Sequence, residues 1–150
     1  MKIFSELYLR NYGALRIRHT RPITEKAPAR ILWYVSGNKY NSPRSKSIIA
    51  TSYLTEVMTG KPKELFRINS RYGIYEWCNI ANLCNNDIEK NIRALKFSHT
   101  EVFQHPIRFT HIKEIFIEEG QKVNTFASPV LTSESIYFKI YQLGKWGKTR

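Results

Sequence analysis

Long apolar runs are missing from this 150-residue chain. That excludes a membrane-spanning helix, which needs ~20 consecutive apolar residues. The opening stretch, MKIFSELYLRNYGALRIRH, is interrupted by Arg10, Arg16 and Arg18 and has no continuous apolar core of the secretory type. Cysteine is scarce. Cys78 and Cys84 have no metal-type spacing and read as reduced thiols of a cytoplasmic protein. His19, His99, His105 and His111 are scattered, so neither a metal nor a cofactor is expected. There is no HExxH, no phosphate-cradling Gly-rich loop and no GxSxG. Internal repeats and low-complexity segments are missing as well.

Acid is the most telling shortage. Twelve Asp and Glu face 24 Lys and Arg, a formal charge of +12. Lys and Arg displace the counterions condensed around phosphates, so this excess points to nucleic acid as the partner. A membrane surface is the less favoured partner, because no amphipathic helix carries a continuous basic face. What is present fits a folded core. The hydrophobic fraction is 42% and the aromatic fraction 13%, enough for one domain without staples.

The chain reads as a basic N-terminal extension (1–27), a folded domain (28–144) and a basic tail (145–150). The extension is either part of the fold or the join to an upstream domain. Within it, Leu15 to Arg18 alternates like a short strand. Ile31–Ser36 and Ile48–Met58 are β-rich runs around a polar, basic connection carrying Lys39, Tyr40, Arg44 and Lys46. Alternation puts Ile49, Thr51, Tyr53, Thr55 and Val57 on one face of the second run. Lys61–Ser70 reads as a short helix with Pro62 in its first turn. Gly73–Ala81 reads as a third strand and Ile88–Phe97 as a fourth, continuing through LKFSHTEVF. Phe109, Ile112, Ile115 and Phe116 predict a helix over 109–118. Ile136, Ile140 and Leu143 predict another, with Gly144 as its stop.

The chemistry lies in an interleaving of rings and cations. Trp33, Tyr34, Tyr53, Tyr72, Tyr75, Trp77, Phe97 and Phe103 lie on or beside these strands, among Lys39, Arg44, Arg71, Arg93 and Lys96. Bases stack on aromatic faces while cations track phosphates, which is the recipe for unpaired nucleic acid. Each ring also has core burial as its alternative. Hydroxyls of Ser36, Ser52 and Ser98 suit a base edge, and Glu101 suits an exocyclic amine. Ser98 with Glu101 equally fits a helix capping box.

The order LWYVSG, basic loop, IIATSYLTEVMTGKP, short helix, GIYEWCNI, IRALKFSHTEVFQHPI, helix, SPVLTSESIYFKIYQLG resembles the PUA-like superfamily, with its PUA, ASCH and EVE domains. It is most similar to modules found C-terminal to bacterial or phage acetyltransferase-type domains. The resemblance covers roughly 28–144. It implies an α+β, mainly β fold: a pseudo-barrel of mixed strands with short flanking helices. It also implies binding of RNA, or of a modified base in RNA or single-stranded DNA. The base-pocket candidates carried over are Trp33, Ser36, Ser52, Tyr53, Trp77, Phe97 and Ser98. The phosphate candidates are Arg16, Arg18, Lys39, Arg44, Lys46, Arg71, Arg93 and Lys96. Regular alternation sets Trp33 and Ser36 on opposite faces unless the strand ends or bulges near Val35.

Two other readings stand beside the binding module. Some ASCH-type domains resemble small amidohydrolases or ribonucleases that use lysine, threonine and glutamate. Here that reading rests on Thr24 and Lys26 with a distant acid, Glu56 or Glu76, since adjacent residues of an extended chain point apart. The other reading is an accessory domain for a protein partner or an upstream enzymatic domain.

Overall fold

The computed structural model describes residues 2–5, 14–19, 26–37, 43–72, 76–126 and 130–147. In order these form β1 (Lys2–Ser5), β2 (Ala14–His19), β3 (Ala29–Val35), β4 (Ser47–Gly60), α1 (Pro62–Asn69), a 3-10 turn (Ser70–Tyr72), α2 (Trp77–Leu83), β5 (Ile92–Arg108), α3 (Phe109–Glu118), β6 (Val130–Leu131) and α4 (Glu134–Trp146). The strands hydrogen-bond in the order β2-β5-β4-β3-β1-β6. β1 runs parallel to β3, while β1 with β6 and β2 with β5 are antiparallel. The order ends on β2 and β6, so the fold is α+β with a barrel that does not close.

The chain divides into two compact units, and β4 and β5 each contribute a part to both. The first unit comprises 1–7, 30–52 and 100–150. Its core joins Leu32, Tyr34 and Ile48 to Phe103 and Ile107 of β5, Ile112, Ile115 and Phe116 of α3, and Ile136, Tyr137 and Ile140 of α4. Phe126 packs edge-on against Tyr34 at 4.9 Å, Phe109 at 5.5 Å and Phe116 at 6.2 Å between centroids. Each such side chain, fully buried, contributes roughly 1.5–3 kcal/mol of transfer free energy. The second unit comprises 8–29 and 53–99. Leu65, Ile80, Cys84, Ile92 and Ala94 form its core, with Met58, Phe66 and Trp77 packed against it.

Three local expectations are corrected. Trp77–Ala81 is helical, not a strand. Trp77, Ile80, Ala81 and Cys84 share helical spacing, and Glu76 and Asn79 form a reciprocal cap, Glu76 N donating to Asn79 Oδ1 at 2.9 Å. Ser98 and Glu101 lie inside β5 and cap no helix. Gly144 does not stop α4, which runs to Trp146 and ends on Gly147 at φ +74°. Gly147 N donates to the Leu143 carbonyl at 2.8 Å, satisfying one of the orphan acceptors of the last turn. The helix expected over 109–118 is found as α3.

Candidate nucleic-acid interface

A strand hides its backbone in its neighbours and offers alternate side chains to one face. In the second unit, Thr55, Glu56, Val57 and Thr59 of β4 line an open pocket of about 490 Å³. Lys26 and Ala27 close another side. They immediately precede β3, the strand next to β4, which explains how residues thirty positions apart in sequence share a wall. Arg93 of β5 completes the lining. β5 is the other neighbour of β4, and Thr55 Oγ1 is fixed by donating to the Lys96 carbonyl at 3.0 Å. Among the described residues, Lys26 and Glu56 form no ion pair, with each other or elsewhere. The pocket therefore sets two cations, one carboxylate and two hydroxyls around one open space.

Next along the same face of β4, two residues before Thr55, stands Tyr53. Its side chain is 41% exposed, and its ring meets the edge of His99 at 5.7 Å. Ser98 Oγ and His99 Nδ1 lie 2.9 Å apart. His99 has φ +52° within a strand, a backbone region that non-glycine residues adopt at a cost.

The other base-pocket candidates fall in different settings. In the first unit, Trp33 is 2% exposed, and its indole donates to Ser52 Oγ at 2.8 Å. Ser52 Oγ in turn lies 2.7 Å from Thr100 Oγ1. Next to it, Thr51 Oγ1 donates to the Ile31 carbonyl at 2.8 Å, with Tyr137 OH at 3.2 Å. These hydroxyls stitch β3, β4, β5 and α4 together inside the core. Ser36 is half-buried and lies just past the end of β3 at Val35. In the second unit, Trp77 opens α2 half-buried against Phe66, centroids 5.6 Å apart, and Phe97 is buried in β5.

Of the phosphate candidates, Arg93 lines the pocket, and Lys96 of β5 is half-buried and not among the lining residues. Arg71 is exposed in the 3-10 turn of the same unit. Arg44 and Lys46 are exposed in the first unit. Arg16 and Arg18 occupy β2, where their backbones pair with Leu95 and Arg93; their side chains, with Lys39 and Thr24, lie outside the described residues. Sequence reasoning missed Thr55 and Thr59 as lining residues. Their i, i+2 spacing from Tyr53 along β4 was the available signal.

Glu101 is neither a cap nor a free acceptor. Its carboxylate pairs with Lys145 at 3.0 Å and accepts from Tyr141 OH at 3.0 Å. Those hydrogen bonds, with Lys145 and Arg30 nearby, hold its pKa below the ordinary carboxylate value against a smaller opposing desolvation. Lys145 is raised by donating to Tyr141 OH at 3.0 Å and by its pairing with Glu101. The group clamps α4 to β5. Cys84, in the second unit's core, has its thiol pushed up by burial and by Asp87.

Among the described residues, no group of three or more His, Cys, Asp or Glu is placed to hold a metal. None of the described helices is long and apolar enough to cross a membrane.

No protein-family model matches the sequence, and no curated protein matches it. Solved structures do. The crystal structure of ASCH from Zymomonas mobilis aligns with a TM-score of 0.71 at 17% identity, covering 95% of this chain and 94% of that one. A single-substitution mutant of the same protein aligns at 0.73, again at 17% identity, over 95% and 94% of the two chains. The fold is that of an ASCH domain. The N-terminal domain of McrB from Staphylothermus marinus aligns at 0.52 and 16% identity, over 77% of this chain and 70% of that one. This fold agrees with the ASCH-type resemblance read from the block order of the sequence.

Proposed function

We propose that this protein is a nucleic-acid-binding module that grips a single strand, with RNA or a modified strand as its target. The observation that carries this reading is the convergence of Lys26 and Arg93 on one open pocket, on the same strand face as the exposed Tyr53. Lys26 and Arg93 take phosphate oxygens. Thr55 and Thr59 supply hydroxyl contacts. Tyr53, with His99 at its edge, offers a face to a base. The net charge of +12 draws the strand in. The ASCH-like, PUA-like fold supports a nucleic-acid partner. Trp33 and Phe97 serve as buried support for the strands.

Fluorescence anisotropy with labelled single-stranded RNA and DNA tests it. Tyr53→Ala should weaken binding by roughly 1–3 kcal/mol, the usual value of one stacked base. Lys26→Ala and Arg93→Ala should weaken every sequence alike, since phosphate contacts carry no sequence information. Lys122→Ala, an exposed cation of the other unit, is the control. If pocket and control variants behave alike, the assignment of this pocket is wrong.

A second reading draws on the same cavity. Lys26, Thr55 and Glu56 line it together, which are the residue types of an ASCH-type hydrolase. A nucleophile needs a positioned partner to be activated. Incubation with RNA and acylated nucleosides, followed by product analysis, decides it. Turnover that survives Lys26→Ala removes this site.

A further inference from the structure

Glu56 is out of place in a pocket built only for phosphate. The chain carries 12 acidic residues against 24 basic ones, yet one of those acids lines the cavity that holds Lys26 and Arg93. A carboxylate beside a bound phosphate repels it. The bland explanation is that Glu56 neutralises its cationic neighbours. Among the described residues, however, it forms no ion pair with Lys26 or Arg93, and it is exposed to solvent.

An ionised carboxylate only accepts hydrogen bonds. Its ligand must therefore bring a donor close to an anion. A nucleotide has donors of two kinds, the exocyclic amines of the base and the hydroxyls of the sugar. The layout separates them. Tyr53 offers the aromatic face for a base, two residues away from the lining of the cavity. The cavity itself then takes the backbone, where phosphate and sugar hydroxyl alternate. The 2′-hydroxyl is the group by which a protein distinguishes RNA from DNA, and an acidic residue accepting from it is an established solution in dinucleotide sites.

We propose that Glu56 makes this cavity a ribonucleotide site, its carboxylate accepting the 2′-hydroxyl of the nucleotide whose phosphate lies on Lys26 and Arg93. This rests on the binding reading above and adds sugar selectivity to it. Thr59, two residues beyond Val57 on β4, lines the same cavity and offers its hydroxyl to the neighbouring sugar oxygen.

The test uses oligouridylate and oligodeoxyuridylate of equal length. Uracil has no exocyclic amine, so the base cannot supply the donor. The wild-type protein should prefer the ribo strand by about ten-fold, the worth of one charge-assisted hydrogen bond. Glu56→Ala should erase that preference by weakening the ribo strand, with the deoxy strand unchanged or tighter. Glu56→Gln, which keeps a neutral acceptor, should fall between. Equal tightening of both strands in both variants would show a merely repulsive charge and overturn the inference, leaving the binding reading intact. A preference that survives Glu56→Ala, or is missing from the wild type, overturns it too. Failure of the wild type to bind either strand removes both readings together.

Discussion

A buried hydroxyl is worth keeping only if it is used on both sides, and Ser52 is. It is fully buried, accepts from the Trp33 indole and lies 2.7 Å from Thr100 Oγ1. Removing its oxygen deprives a buried donor of that acceptor, at roughly 1–3 kcal/mol. Ser52→Ala should therefore lower unfolding stability by that amount in urea titrations, while leaving nucleic-acid affinity near wild type. A loss of only a few tenths would mean the chain of hydroxyls does not form. The residue types at this position were readable in ATSY, but the partners were not. Ser52 meets Trp33 across nineteen positions and Thr100 across forty-eight. Only strand order sets those distances, so a hydroxyl beside an aromatic looked equally like a ligand contact and a core hydrogen bond. Lys26 and Glu56 share that difficulty. They are remote in sequence, and only the neighbouring of β3 and β4 brings them into one cavity.

At the level of elements, periodicity found the helices whose apolar positions repeat over several turns, Pro62 marked the short α1, and composition misled at α2. Tyr75, Trp77 and Cys78 have strand-like side chains, yet the cap between Glu76 and Asn79 starts a helix on Trp77. For α4 the sequence marked the wrong glycine. A Cβ on Gly144 would sit 2.4 Å from the Phe103 ring, so this glycine lets α4 lie close on β5. Helix propensity alone would favour alanine there by about 1 kcal/mol. Overpacking a core costs ~1–3 kcal/mol. Gly144→Ala should thus destabilise on balance, and the same substitution made in a Phe103→Leu background should cost less. If the double-mutant cycle shows no coupling, the close approach is not what fixes the glycine. The clamp above this contact has a pH signature. Glu101 has its folded-state pKa depressed, so its stabilisation is complete at neutral pH and disappears as pH falls below the ordinary carboxylate range through that lowered value. Lys145, raised, keeps its share until pH climbs past the ordinary lysine range. Both side chains are 42% exposed, so screening keeps the effect small. Urea unfolding across acid pH should show Glu101→Gln below wild type near neutrality and the two curves meeting in acid. Parallel curves would assign the loss to packing instead.

For the molecule as a whole, what could be read in advance was the order of blocks and the sign of the charge. Both are sums over many residues, so one misread segment such as 77–81 does not change them. The division of β4 and β5 between two compact units was not readable, because long strands look alike in sequence whichever core their halves serve. Charge also makes the broadest prediction. Each phosphate neutralised on a single strand contributes about −0.7 to the slope of log affinity against log salt. With +12 on the chain and Lys26 and Arg93 converging on one cavity, binding should fall steeply with salt. Lys26→Ala should reduce the slope by about 0.7, because one released counterion is lost. Tyr53→Ala should weaken binding without changing the slope, because a stacked base releases no ion. Equal slopes for wild type and Lys26→Ala, with weaker binding in both variants, would place Lys26 away from the phosphates and return the cavity to a role that does not depend on the backbone.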